Sequence, residues 1–263
     1  MIEFRHVYKY FDDEAVLKDI SFKIKPGETK IILGESGSGK STILKLILGL
    51  IRPDSGQILI EGKDITKVLE HDLVAIRNNI GMVFQEGALF DSLSVRENVG
   101  YRLAEEGKKD EAEIESEVLQ LLGFVGLEDA IDKMPAELSG GMKRRVGIAR
   151  ALMGTPKVVL YDEPTAGLDP ITKRTIVELM IKLRDTEGVT SVFVTHDLYS
   201  ASIIATEYAS ADTDGNLYFR AGGDSFCLLN NNFIMLLNGS ICFEGSYQEM
   251  MNSDLPYIKT FIS

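Results

Sequence analysis

A glycine-rich stretch near the start of the chain has the residue types and spacing of a phosphate-binding loop. Residues 34–41 read GESGSGKS and match G-x-x-x-x-G-K-[ST], between an apolar strand and a helical pattern. Glycines let backbone N–H groups point inward at a polyphosphate, and the following helix adds its positive end. Lys40 then contacts the β- and γ-phosphates, and the Ser41 hydroxyl can ligate Mg²⁺. We predict a nucleotide site formed by Gly34, Glu35, Ser36, Gly37, Ser38, Gly39, Lys40, Ser41 and Thr42.

Two adjacent carboxylates form a second reactive group. Asp162 and Glu163 follow the apolar run VVLY at residues 158–161, which is typical of a strand buried in a parallel sheet. An aspartate in this place can bind Mg²⁺ through water, and the next carboxylate can orient and deprotonate an attacking water. We therefore assign Asp162 to the metal and Glu163 to base catalysis. For this pair alone, an acidic turn is the alternative.

Three further segments place polar groups where ligands bind. The sequence LSGGM opens a helix and offers an anion site at Ser139, Gly140 and Gly141. Gln85 and His196 each follow an apolar strand, so we expect both at the carboxyl edge of the sheet. Each feature alone could be structural. Together with the phosphate loop and the carboxylate pair, in this chain order, they favour an ATP site.

The predicted elements alternate between strands and helices. Antiparallel strands precede the phosphate loop, and later strands are predicted at residues 57–61, 80–84, 158–161 and 191–194. Helices are predicted at residues 69–77, 139–151 and 171–184. Another helix begins after Asp110, in a capping box with Glu113, and is expected to end at Gly123. The order indicates the α/β class around a parallel sheet, with a mainly helical insert between Gln85 and Lys157.

Composition and charge limit the function classes. The 263 residues are 44% hydrophobic and 26% charged, which suits one domain with subdomains or two small domains. The net charge of -12 argues against nucleic acid as the main partner and against loose adsorption to an anionic membrane, with residues 143–145 as a local basic exception. No run reaches the roughly 18–20 apolar residues of a membrane span, and we expect no signal peptide. Cys227 and Cys242 lack metal spacing; we interpret them as reduced thiols, with a disulfide as the alternative.

In these motifs and their order the chain resembles the ATP-binding cassette (ABC) ATPases, the nucleotide-binding subunits of ABC transporters. The resemblance covers nearly all of residues 1–246. It implies a P-loop RecA-like core with an antiparallel β subdomain at residues 1–85 and 157–246, and an inserted α-helical subdomain at residues 86–156. Residues 247–263 are then a C-terminal tail.

The resemblance also implies roles for the motif residues. ATP and Mg²⁺ are the expected cofactors, and Phe11 is the expected adenine-stacking residue, with Tyr10 as the neighbouring candidate. The implied catalytic residues are Glu163, His196, Gln85 and Lys40. The implied metal ligands are Ser41, Gln85 and Asp162. Because both Glu163 and His196 are present, we expect an active ATPase.

A head-to-tail dimer of two copies is a further implication. Ser139 and Gly141 of one copy would close on the γ-phosphate held by Lys40 and Ser41 of the other. Neither copy would then hold a complete site, and ATP would join the two.

Three short stretches are similar to the MCE/Mla (MlaF-type) lipid-transport ATPases. They are residues 85–99, the signature with Met142 in place of the usual glutamine, and DPIT at residues 169–172. The similarity implies a peripheral subunit on the cytoplasmic face of the inner membrane. It would work with an MlaE-type permease and a periplasmic MCE lipid-binding protein, and move phospholipid. Apolar residues Ala88, Leu89 and Phe90 would form a groove for a permease helix, and local core is the alternative.

Two other functions stay open on the sequence. One is the ATPase of another ABC importer, such as an amino-acid system. The other is a soluble ABC ATPase without a membrane partner, such as a Suf-type iron–sulfur assembly component.

The ABC pattern is interrupted at residues 207–232. We predict an insertion of short strands at residues 217–220 and 225–229 with a turn at 212–216, before a last hairpin near residues 233–244. A surface hairpin and a regulatory contact are both compatible with it. A terminal helix, broken near Pro256, is predicted at residues 250–261.

Overall fold

The central element is a mostly parallel six-stranded sheet in the order β12-β11-β3-β8-β7-β6. The computed structural model describes residues 1–211, 217–221 and 230–262. The strands of this sheet are β3 (Thr29–Leu33), β6 (Ile80–Val83), β7 (Val158–Asp162), β8 (Thr190–Thr195), β11 (Asn231–Leu237) and β12 (Ser240–Gly245). Only the β11–β12 pair is antiparallel. The sheet confirms the predicted α/β class.

The register of the four neighbouring strands aligns their carboxyl ends. Leu33 lies beside Thr195, Val194 beside Asp162, and Tyr161 beside Val83. The segments that follow β3, β8, β7 and β6 therefore emerge side by side. These segments are the phosphate loop, the histidine segment, the carboxylate pair and the glutamine segment.

A second, antiparallel sheet lies beside the core, in the order β2-β1-β4-β5. Its strands are β1 (Ile2–Phe11), β2 (Glu14–Ile24), β4 (Ser55–Ile60) and β5 (Lys63–Asp64). Its buried face shares an apolar cluster with one face of the central sheet and with the helix after the phosphate loop, α1 (Lys40–Ile47). The next helix, α2 (Glu70–Arg77), precedes β6.

Helices fill the insert between β6 and β7. They are α3 (Val95–Glu106), α4 (Glu111–Val125) and α5 (Gly140–Leu152), with short 3-10 turns at Glu128–Ala130 and Pro135–Glu137. The predicted capping box of Asp110 and Glu113 is present. The predicted end of α4 at Gly123 is wrong, because the left-handed residue that closes the helix is Gly126, with φ 65°.

Four helices lie in the described part of the chain that follows β7. Helices α6 (Pro170–Glu187) and α7 (Leu198–Thr206) follow β7 and β8, and the chain ends with α8 (Tyr247–Met251) and α9 (Pro256–Ile262). The predicted terminal helix is therefore two helices, and Pro256 begins the second, where its missing N–H costs nothing. No helix in the described ranges is long and apolar enough to cross a membrane.

The structure describes part of residues 207–232, the segment predicted to be an insertion. Strands β9 (Glu207–Ala211) and β10 (Leu217–Ala221) pair antiparallel, and Arg174 of α6 contacts both carboxylate oxygens of Glu207 at 2.8 and 2.6 Å. The predicted turn at 212–216, the predicted strand at 225–229 and Cys227 lie outside the described residues. Cys242 is a free thiol that donates to the carbonyl of Met235.

Candidate functional site

The phosphate loop connects β3 to α1 as the sequence predicts. Gly37 and Gly39 have φ values of 83° and 101°, which side chains with a Cβ disfavour. A Cβ on Gly39 would also lie 2.6 Å from Leu17 Cδ2 of β2. The Lys40 ammonium is buried and donates to the carbonyls of Gly34 and Glu35 at 2.8 and 3.0 Å. Burial lowers the pKa of Lys40, and Glu163 opposes that shift.

Ser41 and Asp162 meet although 120 residues of chain separate them. The Ser41 hydroxyl donates to Asp162 Oδ1 at 2.9 Å. Burial raises the pKa of Asp162, against the hydrogen bond from Ser41. Mg²⁺ prefers oxygen ligands and is usually held by one or two carboxylates together with substrate phosphates. The pair therefore fits Mg²⁺ brought in with ATP, and the described residues contain no larger cluster of metal-ligating side chains.

Glu163 lies between the phosphate loop and the end of β8. Its Oε1 is 2.9 Å from His196 Nδ1 and 3.6 Å from Lys40 Nζ. Its Oε2 accepts from the Thr195 hydroxyl at 3.0 Å and from the His196 N–H at 3.3 Å. The residue has φ 47°, an uncommon conformation for a side chain of this size. A carboxylate held in this way beside a lysine can accept a proton from a water that attacks a bound phosphate.

The signature segment lies apart from the phosphate loop. Ser139 is the N-cap of α5 and accepts from the Met142 N–H at 3.3 Å. A Cβ on Gly141 would lie 2.4 Å from Thr172 Cγ2, so this helix start packs closely on α6. Among the described residues, no hydrogen bond or ion pair joins residues 139–141 to residues 34–42. The structure thus gathers Lys40, Ser41, Asp162, Glu163 and His196, and it does not bring the signature to them.

Gln85 and Phe11 are less constrained. Gln85 is exposed, and its backbone carbonyl accepts from Arg144. In the described part of the chain, no side-chain hydrogen bond links Gln85 to Ser41 or Asp162. The Phe11 ring is exposed, with Lys9 Nζ 5.4 Å from its centroid, and Tyr10 is exposed beside it. The proposed metal and adenine roles of these residues stay predictions.

The structure adds residues that the motif analysis missed. Arg144 is buried and donates to the carbonyls of Gln85 and Ala166, so it joins the glutamine segment to the segment before α6. Burial lowers its pKa. In the sequence, Arg144 stands out only as part of the local basic stretch at residues 143–145. Thr195 was missed as well, although its place between an apolar strand and His196 was a usable signal.

The apolar segment after Gln85 divides between core and surface. Leu89 packs against the main apolar cluster, while Phe90 is 44% exposed. The Phe90 ring lies 4.6 Å from that of Tyr101, centroid to centroid, and Tyr101 is 39% exposed. An aromatic pair therefore stays on the surface beside the glutamine segment.

A family model described as "ABC transporter" matches residues 17–166. The Arabidopsis thaliana chloroplast protein TRIGALACTOSYLDIACYLGLYCEROL 3 is 50% identical over 190 residues, which are 69% of this chain and 54% of that protein. A probable ribonucleotide transport ATP-binding protein, mkl, of Mycobacterium leprae is 34% identical over 262 residues, 100% of this chain and 68% of that protein. The chain thus spans about half the length of the first relative and two thirds of the second.

Two solved structures share the fold. A dimeric post-hydrolysis state of the ATP-binding cassette MJ0796 bound to ADP and Pi has a TM-score of 0.76 and 32% identity, covering 94% of this chain and 98% of that one. The cbiO1 protein of Clostridium perfringens, part of the transporter complex cbiONQ, has a TM-score of 0.77 and 30% identity, covering 99% of this chain and 98% of that one.

Proposed function

Because the chain belongs to the family of ABC transporter ATP-binding subunits and is an ATPase, we propose that it drives transport of a lipid by a membrane permease. One observation supports the catalytic part most directly. The Glu163 carboxylate lies 2.9 Å from His196 Nδ1 and 3.6 Å from Lys40 Nζ, at the ends of adjacent parallel strands.

In the proposed reaction each residue has one task. Lys40 and the loop N–H groups hold the β- and γ-phosphates of ATP. Glu163 accepts a proton from the attacking water. At the same time the water oxygen bonds to the γ-phosphorus, and the bond between the γ-phosphorus and ADP breaks. His196 contacts the γ-phosphate from the other side of Glu163. Ser41 and Asp162 would hold Mg²⁺, which neutralises developing phosphate charge when bound.

A second copy completes the proposed site. Ser139 and Gly140 are exposed at the start of α5, and Gly141 is buried beside them; among the described residues, no hydrogen bond or ion pair joins this helix start to the phosphate loop of the same chain. The related cassette MJ0796 is dimeric in its ADP- and Pi-bound structure. We propose that the partner's signature segment closes on the γ-phosphate, where its N–H groups stabilise negative charge.

The surface pair of Phe90 and Tyr101 is the proposed permease contact. Asn98 holds the Phe90 backbone, and the Arg150 guanidinium lies 5.9 Å from the Phe90 ring. Arg150 also donates to the carbonyls of Gly87 and Ala88, both at 2.7 Å. An exposed aromatic pair on a well-supported segment suits an apolar helix of a membrane subunit.

The proposal of a lipid cargo is supported by the chloroplast relative, which is named after a galactoglycerolipid, and by the MCE/Mla-like stretches of the sequence. We propose phospholipid as substrate, an MlaE-type permease and an MCE protein as partners, and the cytoplasmic face of the inner membrane as the location. Relatives named for methionine and for spermidine/putrescine import are 42% and 41% identical, so solute import is the competing outcome.

The proposed division of the chain follows the same family pattern. Residues 1–85 and 157–246 would be the core with its β subdomain, residues 86–156 the helical subdomain, and residues 207–232 an insertion. Residues 247–263 would be a tail.

Purification from detergent-solubilised membranes tests the transporter assignment. The tagged chain should co-purify with an integral membrane protein, and ATP should drive transfer of a fluorescent phospholipid between liposomes that hold the complex. Stimulation by methionine or spermidine instead of lipid would contradict the lipid cargo. A chain that runs alone in the soluble fraction would contradict the transporter function and favour a soluble ABC ATPase.

A further inference from the structure

Thr195 is a fully buried polar residue at the end of β8, a strand whose other residues are also buried. Its hydroxyl makes two hydrogen bonds to other described residues. The Asp197 N–H lies 2.9 Å from Oγ1, and Glu163 Oε2 lies 3.0 Å from it. A backbone N–H can only donate, so the hydroxyl accepts from Asp197. Its single proton is therefore directed at Glu163.

This contact distinguishes the two oxygens of Glu163. Oε2 receives the Thr195 hydroxyl and the His196 N–H, so it is fixed by two donors on the β8 side. Oε1 faces the His196 ring and Lys40, on the phosphate-loop side. The titratable neighbours of the carboxylate are Lys40, His196 and Asp162. Oε1 is therefore the oxygen on the side of the phosphate loop, where a water at the γ-phosphate would lie.

The N–H that orients Thr195 is itself held in place. Asp197 is the N-cap of α7, and its Oδ1 accepts from the Tyr199 N–H at 3.1 Å. Its Oδ2 lies 2.8 Å from Lys173 Nζ of α6 and 3.0 Å from the Ser200 hydroxyl. A continuous series of hydrogen bonds thus runs from Lys173 through Asp197 and Thr195 to Glu163.

We infer that Thr195 is a positioning residue for ATP hydrolysis: its hydroxyl anchors Glu163 Oε2 and so presents Oε1 to the attacking water. The inference rests on the proposed role of Glu163 as the base. Thr195 does not touch the phosphate loop in the described hydrogen bonds, so it acts on turnover and not on ATP binding.

Thr195→Val removes the hydroxyl and keeps the shape of the side chain. Loss of the hydrogen bond to the Glu163 carboxylate should lower kcat about 10- to 100-fold, while KM for ATP should stay within about two-fold of wild type. Thr195→Ser restores the hydroxyl and should restore kcat to within about three-fold of wild type. Thr190→Val is the matched control: Thr190 lies at the other end of β8, is equally buried, and its hydroxyl accepts from the Gly27 N–H at 2.9 Å. It should lose stability without losing kcat.

Two further variants keep the test decisive. With Glu163→Ala already present, Thr195→Val should have no further effect on the residual rate, because its effect passes through that carboxylate. Lys173→Met, at a partly exposed position, should lower kcat about two- to five-fold with KM unchanged, even if Thr195→Val fails to fold.

Wild-type kcat in Thr195→Val, or in Lys173→Met where the valine variant does not fold, overturns the inference. An equal loss in Thr195→Ser and Thr195→Val overturns it too, since packing would then be the cause. A wild-type chain without ATPase activity would instead refute the proposed function.

Discussion

The segment that carries the exposed aromatic pair depends on one buried amide, that of Asn98. This side chain is 0% exposed and lies in α3. Its Oδ1 accepts from the Phe90 N–H at 2.8 Å. Its Nδ2 lies 3.1, 2.9 and 3.0 Å from the carbonyls of Phe90, Leu93 and Ser94. Asn98→Ala removes all of these contacts and leaves the Phe90 N–H without its acceptor, while the bonds from Arg150 to the carbonyls of Gly87 and Ala88 remain.

The expected loss of stability follows from the number of hydrogen bonds that the Asn98 amide can make. Nδ2 carries two hydrogens for three carbonyls, so Asn98 makes the equivalent of about three full hydrogen bonds. At about 1 kcal/mol each, their loss costs about 3 kcal/mol. Alanine is the better helix former and returns about 0.7 kcal/mol within α3. The net loss in the free energy of unfolding is about 2 kcal/mol, or a fall in Tm of about 4–8 °C for a chain of this size.

Urea unfolding and amide hydrogen exchange measure this effect. The Phe90 N–H should exchange faster in Asn98→Ala, because its acceptor is gone. Asn79→Ala is the matched control, since the exposed Asn79 side chain makes one hydrogen bond, to the carbonyl of Ala75 at 3.1 Å. The free energy of unfolding of Asn79→Ala should fall by less than about 1 kcal/mol. Equal stability losses in the two variants, or unchanged exchange at Phe90, would show that the Asn98 amide does not hold the Phe90 segment.

Two more predictions concern α7 and α5. Burial opposes ionisation of Asp197, but hydrogen bonds from Lys173 and Ser200 hold its pKa below the usual 3.8. Because this pKa is lower in the folded state than in the unfolded state, the ionised Asp197 stabilises the fold at pH values above the unfolded-state pKa. Asp197→Asn should therefore lower the urea midpoint at pH 7, and the difference from wild type should shrink as the pH falls below about 4. A difference that does not change with pH would contradict this prediction. Gly141→Ala should lower Tm, although alanine favours helix, because the new Cβ would lie 2.4 Å from Thr172 Cγ2. Gly140→Ala is the control and should not lower Tm, because the nearest atom to its Cβ would be 3.8 Å away. The same Tm in both variants would contradict the packing argument.

The residues of the candidate site that lie close together could be predicted because their motifs are local. A phosphate loop needs glycines at fixed spacing, and a carboxylate after a buried strand needs only a short apolar run. Lys40, Asp162, Glu163 and His196 were therefore found from the sequence, and the structure brings them together.

Long-range contacts between polar groups and backbone were not predictable in the same way. Nothing local to Arg144 shows that its guanidinium reaches the carbonyls of Gln85 and Ala166. The end of α4 was misplaced for a related reason. Gly123 and Gly126 are both compatible with a helix end, and only the left-handed backbone of Gly126 decides between them.

We propose Glu163 as the base in a site that a second copy of the chain completes. The most direct test of this role measures ATP binding, oligomeric state and the rate of ATP hydrolysis for the Glu163→Gln variant with Mg²⁺ and ATP. If Glu163 is the base, ATP binding should stay close to wild type, a stable dimer should form on a sizing column, and turnover should fall at least about 100-fold, the scale of general-base catalysis. A hydrolysis rate equal to that of the wild type would contradict it.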